Sequence, residues 1–137
     1  MASIAPYLAF NGNCREAITF YGQAFGAEPF IQTFGESPVD APETAKNHVM
    51  HTHLDAGTVQ IMASDTMPGQ PPVDFGSNVS LSVHCDTEEQ QNHLFNTLGE
   101  GGTVTMPLQD TFWGARFGMC TDKFGVHWMF NLERAAS

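Results

Sequence analysis

Six histidines and three cysteines are the side chains best able to do chemistry in this 137-residue chain. His51 and His53 lie two residues apart, with His48 just before them. Histidines at i and i+2 of a strand share one face and can share a metal ion, with Asp55 or Asp65 as further ligands. The opposing reading is a pair of ordinary half-exposed strand histidines, because spacing sets no third ligand. Cys85 and Cys120 make poor nucleophiles, since neither follows a helix start or a basic residue that would lower its pKa. Trp113-Gly114-Ala115-Arg116 holds one of only three arginines. Arg116 could fork onto a carboxylate or phosphonate, with Trp113 as a flat apolar wall. The alternative is structural: Arg116 bonded to Asp65, Asp110 or Asp122, and Trp113 filling a core or dimer contact.

Strand parity groups further candidates. In a strand over 78–85, Asn78, Ser80, Ser82 and His84 share one face, and Val79, Leu81 and Val83 pack on a helix. In a strand over 126–132, His127, Met129 and Asn131 lie opposite Trp128 and Phe130. The expected small-ligand site is therefore Asn78, Ser80, Trp113, Arg116, His127 and Met129.

The elements that would position these residues repeat. Tyr7–Phe10 reads as a strand, followed by Asn13 and Glu16 as an N-cap and its capping-box partner. Ala17, Ile18, Tyr21, Ala24 and Phe25 recur at helical spacing, and Gly26 ends the helix. Strands follow over 30–34, 49–54 and 58–64, the last two joined by Asp55-Ala56-Gly57. Residues 35–47 read as a solvated, mobile loop, and 65–77, rich in proline, as a linker whose first part could cover a cleft mouth. A strand then opens at Asn78, with Thr87 and Gln90 as a second capping box. Gln91, Leu94, Phe95 and Leu98 form one helical face ending at Gly99, and strands follow over 103–108, 116–120 and 126–132. Gly26 and Gly99 are 73 residues apart, and the strand starts near Pro6 and Asn78 are 72 apart. An internal duplication accounts for both spacings. The expectation is an α+β fold: two tandem βαβββ modules (about 1–65 and 78–137, with a linker over 66–77) forming one domain, a cup-shaped mixed sheet with helices on its outer face.

Bulk composition narrows the partners. Lys and Arg number 5 against 15 Asp and Glu, for a net charge of −10. Nucleic acid and anionic membrane surfaces both require a basic face, so neither is expected as a partner. With 42% hydrophobic residues and 11 Phe the chain can build a core. Three scattered cysteines suggest no disulfide framework and point to the cytoplasm. No apolar run approaches the roughly 18 residues of a membrane span, and the N-terminus does not read as a signal peptide.

Several separated motifs resemble the PhnB-like proteins of the glyoxalase/bleomycin-resistance/dioxygenase (vicinal oxygen chelate) superfamily. They are Tyr7 to Ala17, Phe20-Tyr21, Phe25-Gly26-Ala27, Met62 to Asp65, Thr111 to Gly118 and Thr121 to Trp128. The resemblance implies paired βαβββ modules around a cleft, commonly a homodimer, and in many members a divalent metal acting as a Lewis acid. Carried across residue by residue, the usual ligand positions fall at Pro6, Ile61, Asn78 and Met129. A shift of one would bring Gln60 or Met62 to the second. Proline and isoleucine cannot ligate, asparagine is weak, and a thioether suits soft metals. No cofactor is therefore expected at the usual positions, and His51 with His53 remains the alternative for a divalent metal. The implied function is metal-free binding of a small molecule; the alternative is a metal-dependent lyase, isomerase or dioxygenase with a relocated histidine site. A further alternative is a dimer whose cleft is filled by side chains. The family also carries the name demethylubiquinone methyltransferase. The glycine-rich run Gly99 to Gly102 follows a helix, rather than the first strand of a βαβ unit as a methyltransferase loop would, which argues against that activity.

Overall fold

The computed structural model describes residues 2–38, 40–67 and 69–134. It divides into two compact units, the first running to Asp74 and the second starting at Phe75. Each has the order βαβββ. The first contains β1 (Tyr7–Phe10), α1 (Cys14–Phe25), β2 (Phe30–Thr33), β3 (Val49–Ala56) and β4 (Val59–Asp65). The second contains β5 (Leu81–His84), α2 (Glu88–Gly99), β6 (Thr103–Asp110), β7 (Ala115–Thr121) and β8 (His127–Glu133). The sheets share one topology, β1-β4-β3-β2 and β5-β8-β7-β6. In each, the first strand runs parallel to the last and the other pairs are antiparallel. The helices start at Cys14 and Glu88, 74 residues apart, but β3 and β7 start at Val49 and Ala115, only 66 apart. The longer β2–β3 connection of the first unit accounts for the drift.

That connection is more ordered than its composition suggests. Short 3₁₀ turns occupy Phe34–Glu36 and Glu43–Ala45. Backbone bonds from Phe34 N to His48 O and from Gly35 N to Lys46 O tie its two arms together, and Ala45 is buried. The linker reading of 65–77 is corrected at its first residue, because Asp65 completes β4 and is 5% exposed.

Helix α1 buries Ala17, Ile18, Tyr21 and Ala24 against the first sheet. It stops at Gly26, whose φ of 74° lets the following Ala27 N–H return to Gly22 O at 2.9 Å. Its start differs from expectation. Asn13 makes no side-chain cap bond. Instead Asp65 Oδ1 accepts from the N–H groups of Gly12 and Cys14, both at 2.9 Å, and Oδ2 accepts from Val49 N at 2.9 Å. A buried carboxylate tolerates desolvation when its lone pairs take several N–H donors, and a helix start favours negative charge. The local Asn13–Glu16 box is replaced by an acceptor 51 residues away.

Helix α2 is capped locally. Thr87 Oγ1 accepts from Gln90 N at 3.1 Å, and Gln90 Oε1 accepts from Asp86 N at 2.8 Å. The helix ends at Gly99, as expected. The left-handed turn falls at Gly101, φ 77°. A Cβ on Gly102 would lie 2.2 Å from Thr121 O, so the chain can pass the end of β7 only with glycine there.

Candidate functional site

Ladder register decides which side chains share a face. In the second sheet, Leu81↔Trp128↔Cys120 and Val83↔Phe130↔Gly118 are abreast. Trp128, Phe130 and Cys120 are buried, and Phe95 of α2 meets Phe130 edge-on at 5.5 Å. This is the helix face. The opposite face carries Ser82, His84, Phe117, Met119, Thr121, His127, Met129 and Asn131. Met119 and Met129 are paired and half-buried, and Met106 of β6 pairs with Met119. The middle of this face carries no charged side chain; exposed Glu133 closes it at one end.

The six expected ligand residues separate. His127 and Met129 lie on the face opposite the helix. Trp113, in the turn before β7, is 56% exposed and meets Phe117 edge-on at 6.0 Å, joining that face. Asn78 and Ser80 are exposed and precede β5, which starts at Leu81, not Asn78. The ladder from β5 to β8 begins at Leu81↔Trp128, and β8 itself begins at His127, so residues 78–80 have almost no strand to pair with. Val79, expected in the core, is 66% exposed for the same reason.

Arg116 stands on the helix face. Its Nη1 donates to Gln91 Oε1 at 3.0 Å, and its Nε lies 3.8 Å from Glu88 Oε1. None of Asp65, Asp110 or Asp122 is its partner. Asp110 pairs with Arg134 at 3.2 Å, and Asp122 accepts from Phe124 N, Val126 N and the Trp128 indole. Gln91 is fully buried and also donates to Arg116 O at 2.8 Å and Phe130 O at 3.1 Å. Its role was foreshadowed by a polar residue standing on an otherwise apolar helical stripe. Met119 was legible too, by the alternation of Phe117, Met119 and Thr121. Met106 was not, because irregularities on both sides of it break the alternation of β6.

Three of the six histidine rings, those of His51, His53 and His127, are hydrogen-bonded. His127 Nε2 lies 2.8 Å from Gly76 O, so this nitrogen carries the proton; Nδ1 then accepts from the Thr121 hydroxyl at 2.8 Å. An imidazole with both nitrogens bonded is a clamp rather than a free base. On the first sheet, His51 and His53 do share the face opposite α1. His51 Nδ1 is 3.1 Å from the Tyr7 hydroxyl, with the two rings stacked at 5.8 Å. His53 Nε2 donates to Gln60 Oε1 at 2.7 Å, and Gln60 in turn donates to Asp55 and to Gly57 O. Hydrogen bonds from Gln60 and then from Gly57 N hold the Asp55 carboxyl below its ordinary pKa. Among the described residues no three His, Cys, Asp or Glu side chains cluster closely enough to hold a metal ion. The cysteines are buried. Burial, then the Asp65 charge, pushes the Cys14 thiol up to about 12; burial, then Asp122, pushes Cys120 to about 11. Burial likewise raises Cys85. These thiols stay protonated and unreactive.

The positions where a metal is usual in this fold do not suit a hard divalent cation. Pro6 offers no side-chain donor, and its carbonyl accepts from Met62 N. Ile61 is 2% exposed and faces α1. Of its neighbours on the other face, Gln60 is already bonded and Met62 is a thioether. Asn78 precedes the strand, and Met129 supplies only sulfur.

The chain matches, over residues 2–130, the family model described as 3-demethylubiquinone-9 3-methyltransferase. It belongs to that family. It is 35% identical to the protein YjdN of Escherichia coli K12, over 96% of this chain and 95% of that protein. The crystal structure of PA1353 from Pseudomonas aeruginosa superposes with a TM-score of 0.89 at 45% identity, covering 98% of this chain and all of that one (100%). The PhnB protein of Bacillus cereus superposes at 0.78 with 28% identity, covering 96% of this chain and 99% of that one. The fold is also that of glyoxalase/bleomycin resistance/dioxygenase proteins, at 14% and 17% identity and TM-scores of 0.63 and 0.64. The chain is thus PhnB-like, with a fold shared by glyoxalase/bleomycin resistance/dioxygenase proteins. Among the described residues no helix is long and apolar enough to cross a membrane.

Proposed function

We propose that this PhnB-like chain binds an uncharged, largely apolar small molecule against the second sheet's face opposite α2, without a hard divalent metal. The supporting observation is the composition of that face. Met119 and Met129 sit side by side, Phe117 and Trp113 flank them, and Asn131 and Ser82 supply polar contacts. Thioethers and aromatic rings make an adaptable wall, and a few polar groups orient a ligand on it. With Arg116 turned toward α2, no cation waits there for a carboxylate or phosphonate. The reading extends to a cytoplasmic protein that pairs with itself. Reduced, buried thiols favour the first, and exposed Phe112, Trp113 and Val79 favour the second. S-adenosylmethionine transfer gains no support, because Gly99 to Gly102 caps α2 and leads into β6.

The test is calorimetry with neutral aromatic and aliphatic compounds against the purified, untagged chain, with metal content measured alongside. Binding that the Met129→Lys variant loses while keeping its circular dichroism supports the reading. One equivalent of zinc, nickel, manganese or iron per chain, or binding indifferent to Met129→Lys, overturns it. Metal-dependent turnover abolished by His53→Ala would establish the relocated histidine site instead.

A further inference from the structure

We propose that Met106, Met119 and Met129 form a binding site for a soft monovalent cation of the copper(I) or silver(I) type. Three neighbouring strands bring the three together. Met106 of β6 is the register partner of Met119 of β7, and Met119 is the partner of Met129 of β8. Neighbouring strands lie about 4.8 Å apart. Three flexible thioether arms rooted in one row can therefore converge their sulfurs on a single ion. All three residues are half-buried, within reach of solvent but shielded from it in part.

The sheet is deformed at this row. Register irregularities fall on both sides of Met106, between Val104 and Met106 and between Met106 and Gln109. Irregularities of this kind re-aim a side chain and concentrate beside functional sites. The donor chemistry selects the ion. Neutral thioethers favour soft monovalent cations over magnesium and manganese, which prefer oxygen, and over zinc, which takes its sulfur as thiolate. The row ends at Ser82, the partner of Met129, and holds no Lys or Arg to repel a cation. The net charge of −10 raises the local concentration of cations around the chain. The corresponding row of the first sheet, Phe30, His53, Met62 and Tyr7, has one thioether and serves as an internal control.

The competing soft donors are the three thiols. Each is buried and held protonated, Cys85 being the most accessible at 8% exposure. The experiment is titration of the full chain, labelled with ¹³C at its methionine methyls, with silver nitrate in chloride-free buffer. The expected result is that the Met106, Met119 and Met129 methyls shift together and saturate near one equivalent, in the parent and in Cys85→Ser alike. Met50, Met62 and Met67 should stay in place, and zinc should move none of them. Met119→Leu preserves the apolar volume and should weaken silver binding at least tenfold. Unmoved methyls of the three, saturation only at the thiol count, or a Met119→Leu variant that binds silver as the parent does would overturn the proposal. Met106 lies outside the wall assigned to the neutral ligand, so Met106→Leu should weaken silver binding likewise and leave binding of a neutral organic ligand unchanged. Failure of one reading is thereby distinguished from failure of the other.

Discussion

The two units carry the same topology but start their helices by opposite means. The first N–H groups around α1 are satisfied by Asp65, from the end of β4, which also binds Val49 N at the start of β3. Those of α2 are met within four residues by Thr87 and Gln90. In the first unit one buried carboxylate joins helix, β3 and β4. In the second, a buried amide performs the joining from the helix side, as Gln91 reaches β7 and β8. A fold repeated in outline thus distributes its polar connections differently. The long-range version makes helix formation conditional on the sheet, and the local version does not.

Substitutions can break this comparison. Asp65→Ala should have the largest effect, because it strands three N–H groups at once, two of them in buried bonds. A loss of about 3–4 kcal/mol is expected in chemical denaturation. A loss below about 1 kcal/mol would show that water replaces the carboxylate and that α1 is not tied to β4 in this way. Gln91→Ala should cost about 2–3 kcal/mol, since it removes a buried side chain that bonds Arg116 and two strand carbonyls. Its effect should fall on protection of α2 and β7 amides in hydrogen exchange, leaving α1 unchanged. Thr87→Ala removes only a local cap and should cost about 1 kcal/mol. If it matched Asp65→Ala, the distinction between local and long-range capping would collapse.

The remaining test, confined to alkaline conditions, is a pH dependence. Cys14, beside the Asp65 carboxylate, has a folded pKa of about 12 against an ordinary 9.0. A raised folded pKa means that the unfolded chain releases the proton first. The contribution is complete below pH 9 and is lost as pH rises from there toward 12. Denaturation midpoints should therefore fall across that range, and Cys14→Ser should flatten the fall. The opposite sign holds for Asp55, whose folded pKa is lowered. Its contribution is present above the ordinary carboxylate pKa and disappears as pH drops through the folded value.

Much of the architecture is written in local pattern. Ala17, Ile18, Tyr21 and Ala24 repeat at the helical period, and the side chains of β8 alternate strictly from His127 to Leu132, so both elements and their buried sides can be read without coordinates. The doubling is visible because each unit repeats the same order of periods and breakers. Asp65 was hidden because its three donors come from Gly12, Cys14 and Val49, residues that spacing does not connect to it. Arg116 read as a ligand group because an arginine beside a tryptophan and glycines invites that role; the Gln91 amide that engages it lies on another element.

By itself the sequence determined the number, type and order of the elements, the repetition of the βαβββ unit and the net charge of −10. These depend on residue chemistry and on periods of two or about 3.6, which neighbours along the chain set among themselves. Tertiary structure decided which carboxylate caps α1, which way Arg116 points, and that three methionines from β6, β7 and β8 stand abreast. The reason is register. Which residues meet across a sheet depends on where each strand begins and on single-residue irregularities such as those flanking Met106, and a shift of one residue exchanges one face for the other.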